Sequence, residues 1–125
     1  MQAAHGLTIK LDRHDDQIFL FMKIHGEVNH QDFEPLLADI EKLIEEAEHP
    51  QLDVLVDMID FAGFDARAAW DDIQFSRKHA KEFHKVAVVG TTTWEKWLTK
   101  VGSWFIDGES RYFESMDEAR AWLKA

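Results

Sequence analysis

The chain has 125 residues and a formal net charge of −10, from 24 acidic and 14 basic side chains. This length suits one domain, and a hydrophobic share of 46% supports a packed core. The acidic balance counts against nucleic acid as a partner, because binding to phosphates requires Lys and Arg. The lack of cysteine excludes disulfides, thiolate catalysis and cysteine-based zinc sites.

The chain opens without a basic segment followed by an apolar stretch, so no signal peptide is predicted. No run of about 18 apolar residues is present, so no membrane-spanning helix is predicted either. We therefore expect a cytoplasmic protein.

The first half of the chain predicts a hairpin, a helix and a buried strand. Residues 7–12 alternate apolar and polar, and residues 18–24 are almost all apolar, which indicates two strands joined by a polar turn at 14–17. Apolar residues at helical spacing predict a helix over 29–47, with its acidic side facing solvent. Residues 53–58 form a third strand whose apolar run indicates burial on both faces.

The second half predicts helices that alternate with short strands. A helix is expected over 65–83, followed by a buried strand at 86–89. Capping-box patterns open a helix over 93–104 and a last helix over 115–123, on either side of a strand at 111–113. The order of elements is then β-β-α-β-α-β-α-β-α, with right-handed crossovers. It predicts one α/β domain over residues 1–125, with a mixed, mostly parallel five-stranded sheet and about four helices.

This order, with the strand-loop-helix at residues 54–70, resembles the SpoIIAA-like, or STAS, domains. The likeness is greater to a bacterial branch that is compared with CRAL-TRIO lipid-binding domains. The resemblance implies a SpoIIAA-like fold over nearly the whole chain. It is carried by residues 54–57, 85–90, Trp94, Trp97, 111–113, 118–119 and 121–123.

SpoIIAA proteins proper are anti-sigma-factor antagonists, in which phosphorylation of a serine at the start of the second helix switches partner binding. Here the matching stretch reads DFAGFDA, and Gly63, Phe64 and Asp65 stand in the neighbourhood of that serine. A phosphorylation switch needs a hydroxyl, and no Ser, Thr or Tyr occurs between residues 9 and 75. Asp65 is interpreted as a helix N-cap, with mimicry of a phosphorylated residue as the alternative.

Two features of the sequence suggest a binding site. Large apolar side chains at helical spacing, three of them indoles, form a stripe. This stripe is a core face, a lid over an apolar cavity, or the face of a helix that rests on a membrane or partner. The loops after the third and fourth strands, over residues 57–64 and 90–93, would face each other across a crevice, with apolar walls and a cradle of glycine and threonine for an anionic head group. The alternative is a packed loop with capping threonines. The predicted ligand-binding residues are Phe61, Phe64, Trp70, Gly90, Thr91, Thr92, Trp94, Trp97 and Val101, and the predicted lid or membrane residues are Trp94, Trp97, Leu98, Trp104 and Phe105.

Catalytic and metal sites find little support. Asp57, Asp60 and Asp65 could hold Mg²⁺ or act as a base, but they are better interpreted as solvated turn residues. The seven histidines show no spacing typical of a metal site. We therefore predict no catalytic residue, no metal and no cofactor.

Two hypotheses follow. The first is a non-enzymatic protein that binds a small apolar or lipid-like ligand between the 61–70 segment and a mobile Trp-rich helix, with peripheral association with the inner face of the membrane. The second is a protein–protein regulatory module related to the anti-sigma-factor antagonists but lacking the phosphorylatable serine. A homodimer is compatible with both.

Overall fold

The structure is a computed structural model, and it describes residues 6–28, 30–59, 61–64, 74–75, 77–91, 100 and 107–124. Six strands and two helices have complete bounds within these residues. The strands are β1 (Gly6–His14), β2 (Gln17–Val28), β3 (Gln51–Asp57), β4 (Phe61–Phe64), β5 (Phe83–Val89) and β6 (Glu109–Phe113). The helices are α1 (His30–Glu46) and α2 (Met116–Lys124).

The opening hairpin is confirmed. β1 and β2 pair antiparallel from Gly6 opposite His25 to His14 opposite Gln17, which leaves a two-residue turn. Asp15, the first residue of that turn, has a φ of 55°, in the left-handed region that short polar residues enter at modest cost. The polar run at 14–17 therefore places the turn where the sequence predicts it.

The mostly parallel centre of the sheet is also confirmed. The strand order is β1-β2-β3-β5-β6, and every pair after the hairpin runs parallel. Because the carboxyl ends of parallel strands meet at one edge, β3, β5 and β6 end side by side.

One strand departs from the prediction. Residues 57–64 were expected to form a loop between a strand and a helix, but Phe61–Phe64 form β4, which pairs parallel with the far end of β2. β2 continues past the predicted end at residue 24 to Val28, with Gly26 at a φ of 63° and a register shift between Gly26 and Glu27. β4 thus pairs with the part of β2 that extends beyond the end of β3. The predicted order of elements is wrong at this point, because it has no strand there.

The helix predicted over 65–83 is too long. Residues 77–78 are helical, residues 79–82 form a turn, and Phe83 already belongs to β5, opposite Leu52. The rest of this helix and most of the one predicted over 93–104 lie outside the described residues. The described part of the chain therefore contains two helices with complete bounds, where about four were predicted.

The sheet separates two clusters of apolar side chains. α1 covers one face with Leu36, Ile40 and Ile44, which are buried against β2, β3 and β5 as their helical spacing predicts. α2 covers part of the other face, where Ala119 is fully buried against Leu55 and Val89. Described helices thus pack on both faces, which explains the apolar run in β3.

Candidate functional site

The two segments predicted to face each other do start side by side. The Met58 N–H, just after β3, donates a hydrogen bond of 2.8 Å to the carbonyl of Val89 at the end of β5. The Gly90 N–H donates one of 3.1 Å to the carbonyl of Phe113 at the end of β6. These bonds place the starts of the 57–64 and 90–93 segments at the same edge of the sheet, which we call the carboxyl edge.

Asp57 organises this edge, and it is not the solvated residue that the sequence predicts. Only 6% of it is exposed. One carboxylate oxygen, Oδ1, accepts a hydrogen bond of 3.0 Å from the Ile59 N–H, and the other, Oδ2, lies 3.9 Å from Nζ of Lys23 on β2. A buried carboxylate needs such partners, because removing its charge from water is otherwise costly. Asp57 therefore holds the first turn after β3 in place.

Ile59, at the tip of this turn, presents an apolar side chain to solvent. It is 46% exposed, and within the described residues only Ile59 and Ile9 are large apolar residues with such exposure. The apolar β4 sequence, FAGF, begins two residues later. Ile59 is thus an exposed apolar residue at the carboxyl edge, and sequence reasoning missed it.

The predicted site residues are only partly described. Gly90 is buried and Thr91 is exposed at the carboxyl edge. The backbone of Phe61 and Phe64 belongs to β4, but the orientation of their side chains is outside the described part. The other predicted ligand and lid residues lie outside the described residues: Trp70, Thr92, Trp94, Trp97, Leu98, Val101, Trp104 and Phe105. Asp60 and Asp65 do so as well.

A second polar cluster joins α1 to the turn before β5. The His79 ring is buried against Phe75, and its Nε2 donates a hydrogen bond of 3.1 Å to Glu41 on α1. Its Nδ1 has no hydrogen-bond partner in the described structure and lies 3.6 Å from Glu82 Oε1. Hydrogen bonds from His79 and then from Lys78 lower the pKa of the Glu41 carboxyl below its usual value of 4.5.

This cluster is not arranged as a metal centre. Glu41 and Glu82 approach opposite nitrogens of the His79 ring, so the two carboxylates cannot join one ring nitrogen around a single ion. Across the described ranges, no group of three or more His, Asp or Glu side chains is placed to hold a metal. The cluster therefore serves to attach α1 to the chain before β5.

The comparisons with known proteins agree with this architecture. The model of the SpoIIAA-like family matches residues 19–124. The chain belongs to the SpoIIAA-like family. A search of curated proteins finds no match.

Two solved structures place the fold more closely. An uncharacterised protein of the DUF3478 family with a SpoIIAA-like fold, from Shewanella loihica, is 33% identical, with 98% of each chain covered and a TM-score of 0.82. The anti-sigma factor antagonist SpoIIAA in its unphosphorylated form is 10% identical, with 94% of this chain and 99% of that chain covered and a TM-score of 0.58. At that identity the second likeness concerns the fold alone.

The structure bears on the prediction that no helix spans a membrane. Among the helices of the described residues, none combines the length and the apolar character needed to cross a bilayer.

Proposed function

We propose that this SpoIIAA-like protein is a non-enzymatic binding protein whose site lies at the carboxyl edge. The occupant is a small apolar or lipid-like ligand, held between the 61–70 segment and the Trp-rich helix predicted over 93–104. The observation that carries the proposal is the exposed Ile59 side chain, on a turn fixed by Asp57 and adjoining the start of the 90–93 segment. A contiguous apolar patch marks a contact surface, and Ile59 would form one together with the apolar β4 sequence that follows it.

The parts of the site would have distinct tasks. Ile59, with Phe61, Phe64 and Trp70, would contact the apolar body of the ligand. Gly90, Thr91 and Thr92 would receive a carboxylate or another anionic head group through hydroxyls and backbone N–H groups. The helix with Trp94, Trp97, Val101 and its neighbours would act as a gate and would dock on the cytoplasmic face of a membrane during loading.

We propose a non-enzymatic role because Asp57, a candidate general base at this edge, is already occupied by other contacts. Its carboxylate accepts the Ile59 N–H and lies near Lys23, so it is committed to holding the turn. A general base needs a carboxylate that can reach a substrate proton. Asp57 is therefore assigned a structural task.

The test is ligand binding by the purified chain. Native mass spectrometry would detect a co-purified ligand, and a thermal-shift screen with fatty acids and phospholipids would find added ones. Ile59→Ser should reduce the shift produced by the best fatty acid, because it removes apolar contact area at the proposed site. Gln51→Ser is the control, since Gln51 is exposed at the start of β3, at the opposite end of the sheet from the carboxyl edge. No bound ligand, no thermal shift and no liposome binding would overturn the proposal.

A protein-interaction module is the second candidate. It is supported by the likeness in fold to an anti-sigma factor antagonist and by the same exposed Ile59. Partner binding would not be switched by phosphorylation at the start of the second helix, because no hydroxyl side chain occurs between residues 9 and 75. This function predicts a partner protein that Ile59→Ser releases and that fatty acids do not displace. Displacement by a fatty acid would favour the first proposal.

A further inference from the structure

Within the described residues, β1 is an edge strand of the sheet. It pairs only with β2 there, and most of its side chains are exposed. In an antiparallel ladder closed by a two-residue turn, the pair next to the turn exchanges both hydrogen bonds, and alternate pairs follow it. The alternation is counted from the pair of His14 and Gln17, which is next to the turn. The residues whose backbone groups point away from β2 are therefore Arg13, Leu11, Ile9 and Leu7. They form a row of donors and acceptors that another strand can join.

Two charges of opposite sign lie on this edge. Lys10 and Asp12 are both exposed and, being two residues apart, are on one face of β1. Neither makes an ion pair or a side-chain hydrogen bond in the described part of the chain. A lysine on an edge strand normally repels a further strand, so an incoming strand must bring an acid to face Lys10.

We propose that this edge binds a second copy of the chain, with the two β1 strands antiparallel about a two-fold axis at Leu11. The outward backbone groups of Leu11 then meet those of Leu11 in the second copy, and those of Ile9 meet those of Arg13. Lys10 of each copy lies opposite Asp12 of the other. The two sheets become one continuous sheet with two reciprocal ion pairs across the join.

Charge selects this register over its neighbours. A two-fold axis at Lys10 or at Asp12 would also align outward backbone groups, but it would set Lys10 opposite Lys10 or Asp12 opposite Asp12. Like charges directly opposite each other destabilise a strand pair. An axis between two residues would bring outward groups against inward ones, so no ladder could form. Among these arrangements, only the one centred on Leu11 gives both hydrogen bonds and attraction.

The test is the oligomeric state of the full chain and of three charge variants. Sedimentation equilibrium would give the dimer dissociation constant for wild type, Lys10→Asp, Asp12→Lys and the double variant with the charges exchanged. Each single change turns both attractive pairs into repulsive ones, so the dissociation constant should rise roughly tenfold or more. The exchange restores both pairs and should bring it back to near the wild-type value.

The two single variants also separate a specific contact from a general charge effect. Lys10→Asp makes the chain more acidic and Asp12→Lys makes it less acidic, so net charge alone would move the dissociation constant in opposite directions. Lys42→Asp, at an exposed position on α1, is the control and should leave dimerisation almost unchanged. Circular dichroism of each variant at the temperature of the sedimentation experiment would verify that it is folded.

A chain that stays monomeric at high concentration would overturn the proposal. A dimer that is insensitive to the two single variants, or that the exchange fails to restore, would also overturn it, because the contact would then lie on another surface. Ligand binding at the carboxyl edge is measured separately, so either proposal can fail without the other.

Discussion

At the level of single residues, Gly108 has no room for a side chain. A Cβ there would lie 2.5 Å from the carbonyl oxygen of Phe83 and 2.8 Å from the carbonyl carbon of His84. Both obstacles are backbone atoms of β5, so they cannot turn aside. We expect Gly108→Ala to lower the free energy of unfolding by about 1–3 kcal/mol through overpacking. Urea unfolding measures this, and Glu109→Ala, at the exposed next position, should change it by less than about 0.5 kcal/mol.

His79 and Lys78 offer a matched comparison of burial. Both contact Glu41 Oε1, at 3.1 and 3.0 Å, but the side chain of His79 is 9% exposed and that of Lys78 is 67% exposed. His79→Ala removes a buried hydrogen bond and the ring packed on Phe75, which should cost about 2 kcal/mol or more. Lys78→Ala removes a solvated ion pair and should cost less than about 1 kcal/mol. Equal losses in chemical denaturation would contradict this interpretation of the cluster.

At the level of elements, the sequence predicts what local patterns determine. The hairpin turn, α1, β3 and α2 lie where periodicity and capping residues place them. For α2 the predicted capping box has its first bond, since the Glu118 N–H donates to Ser115 Oγ at 3.3 Å. These elements have signals within about ten consecutive residues, so a single chain is enough to find them.

The missed elements depend on partners that are distant in sequence. β4 contains Ala and Gly and has no strand pattern of its own, and it is a strand because β2 extends beyond Gly26. Phe83 suits the apolar side of a helix, yet it pairs with Leu52 and meets the Phe75 ring edge-on, with the ring centroids 6.3 Å apart. Such pairings outweigh local propensity, and local patterns do not reveal them.

The candidate site shows the same division. The order of strands and helices correctly brings Gly90 and the end of β3 to one edge. The burial of Asp57 follows instead from the parallel register, which sets Lys23 opposite it. Lys23 is the one charged residue in the apolar run 18–24, and that interruption was the signal that could have pointed to a buried partner. The exposure of Ile59 had no such signal.

The end of α1 carries an electrostatic defect that one substitution should relieve. No basic residue lies in its last turn, where the helix dipole favours positive charge. Glu45 is exposed there, so Glu45→Lys should raise the free energy of unfolding by about 0.3–1 kcal/mol. Glu46→Lys is the informative counterpart, because it would break the 3.3 Å ion pair with Arg13 of β1. A larger gain from Glu46→Lys in thermal unfolding would contradict this assignment.

At the level of the whole molecule, acidity governs how stability changes with pH. The chain carries a formal net charge of −10 at pH 7, and its isoelectric point from sequence is about 5.0. Lowering the pH toward that point reduces self-repulsion in the folded state. We therefore expect the free energy of unfolding to stay constant or rise between pH 7 and about pH 5. Below about pH 5 it should fall as the carboxylates that have partners in the folded state become protonated.

Glu41 is a carboxylate whose contribution to stability should be measurably lost at low pH. Because its folded pKa is lowered, first by the hydrogen bond from His79 and then by that from Lys78, the folded state binds its proton more weakly than the unfolded chain. Its contribution to stability is then complete above the usual value of 4.5 and disappears as the pH falls through the lower folded pKa. Glu41→Gln should be less stable than wild type at pH 7, and the difference should shrink below about pH 4.5. Denaturant unfolding from about pH 7 to about pH 3 measures both curves. Lys78→Ala removes only the second hydrogen bond to Glu41, so it should reproduce the smaller part of this pH-dependent difference. Parallel curves for Glu41→Gln and wild type over the whole pH range would contradict the lowered pKa of Glu41.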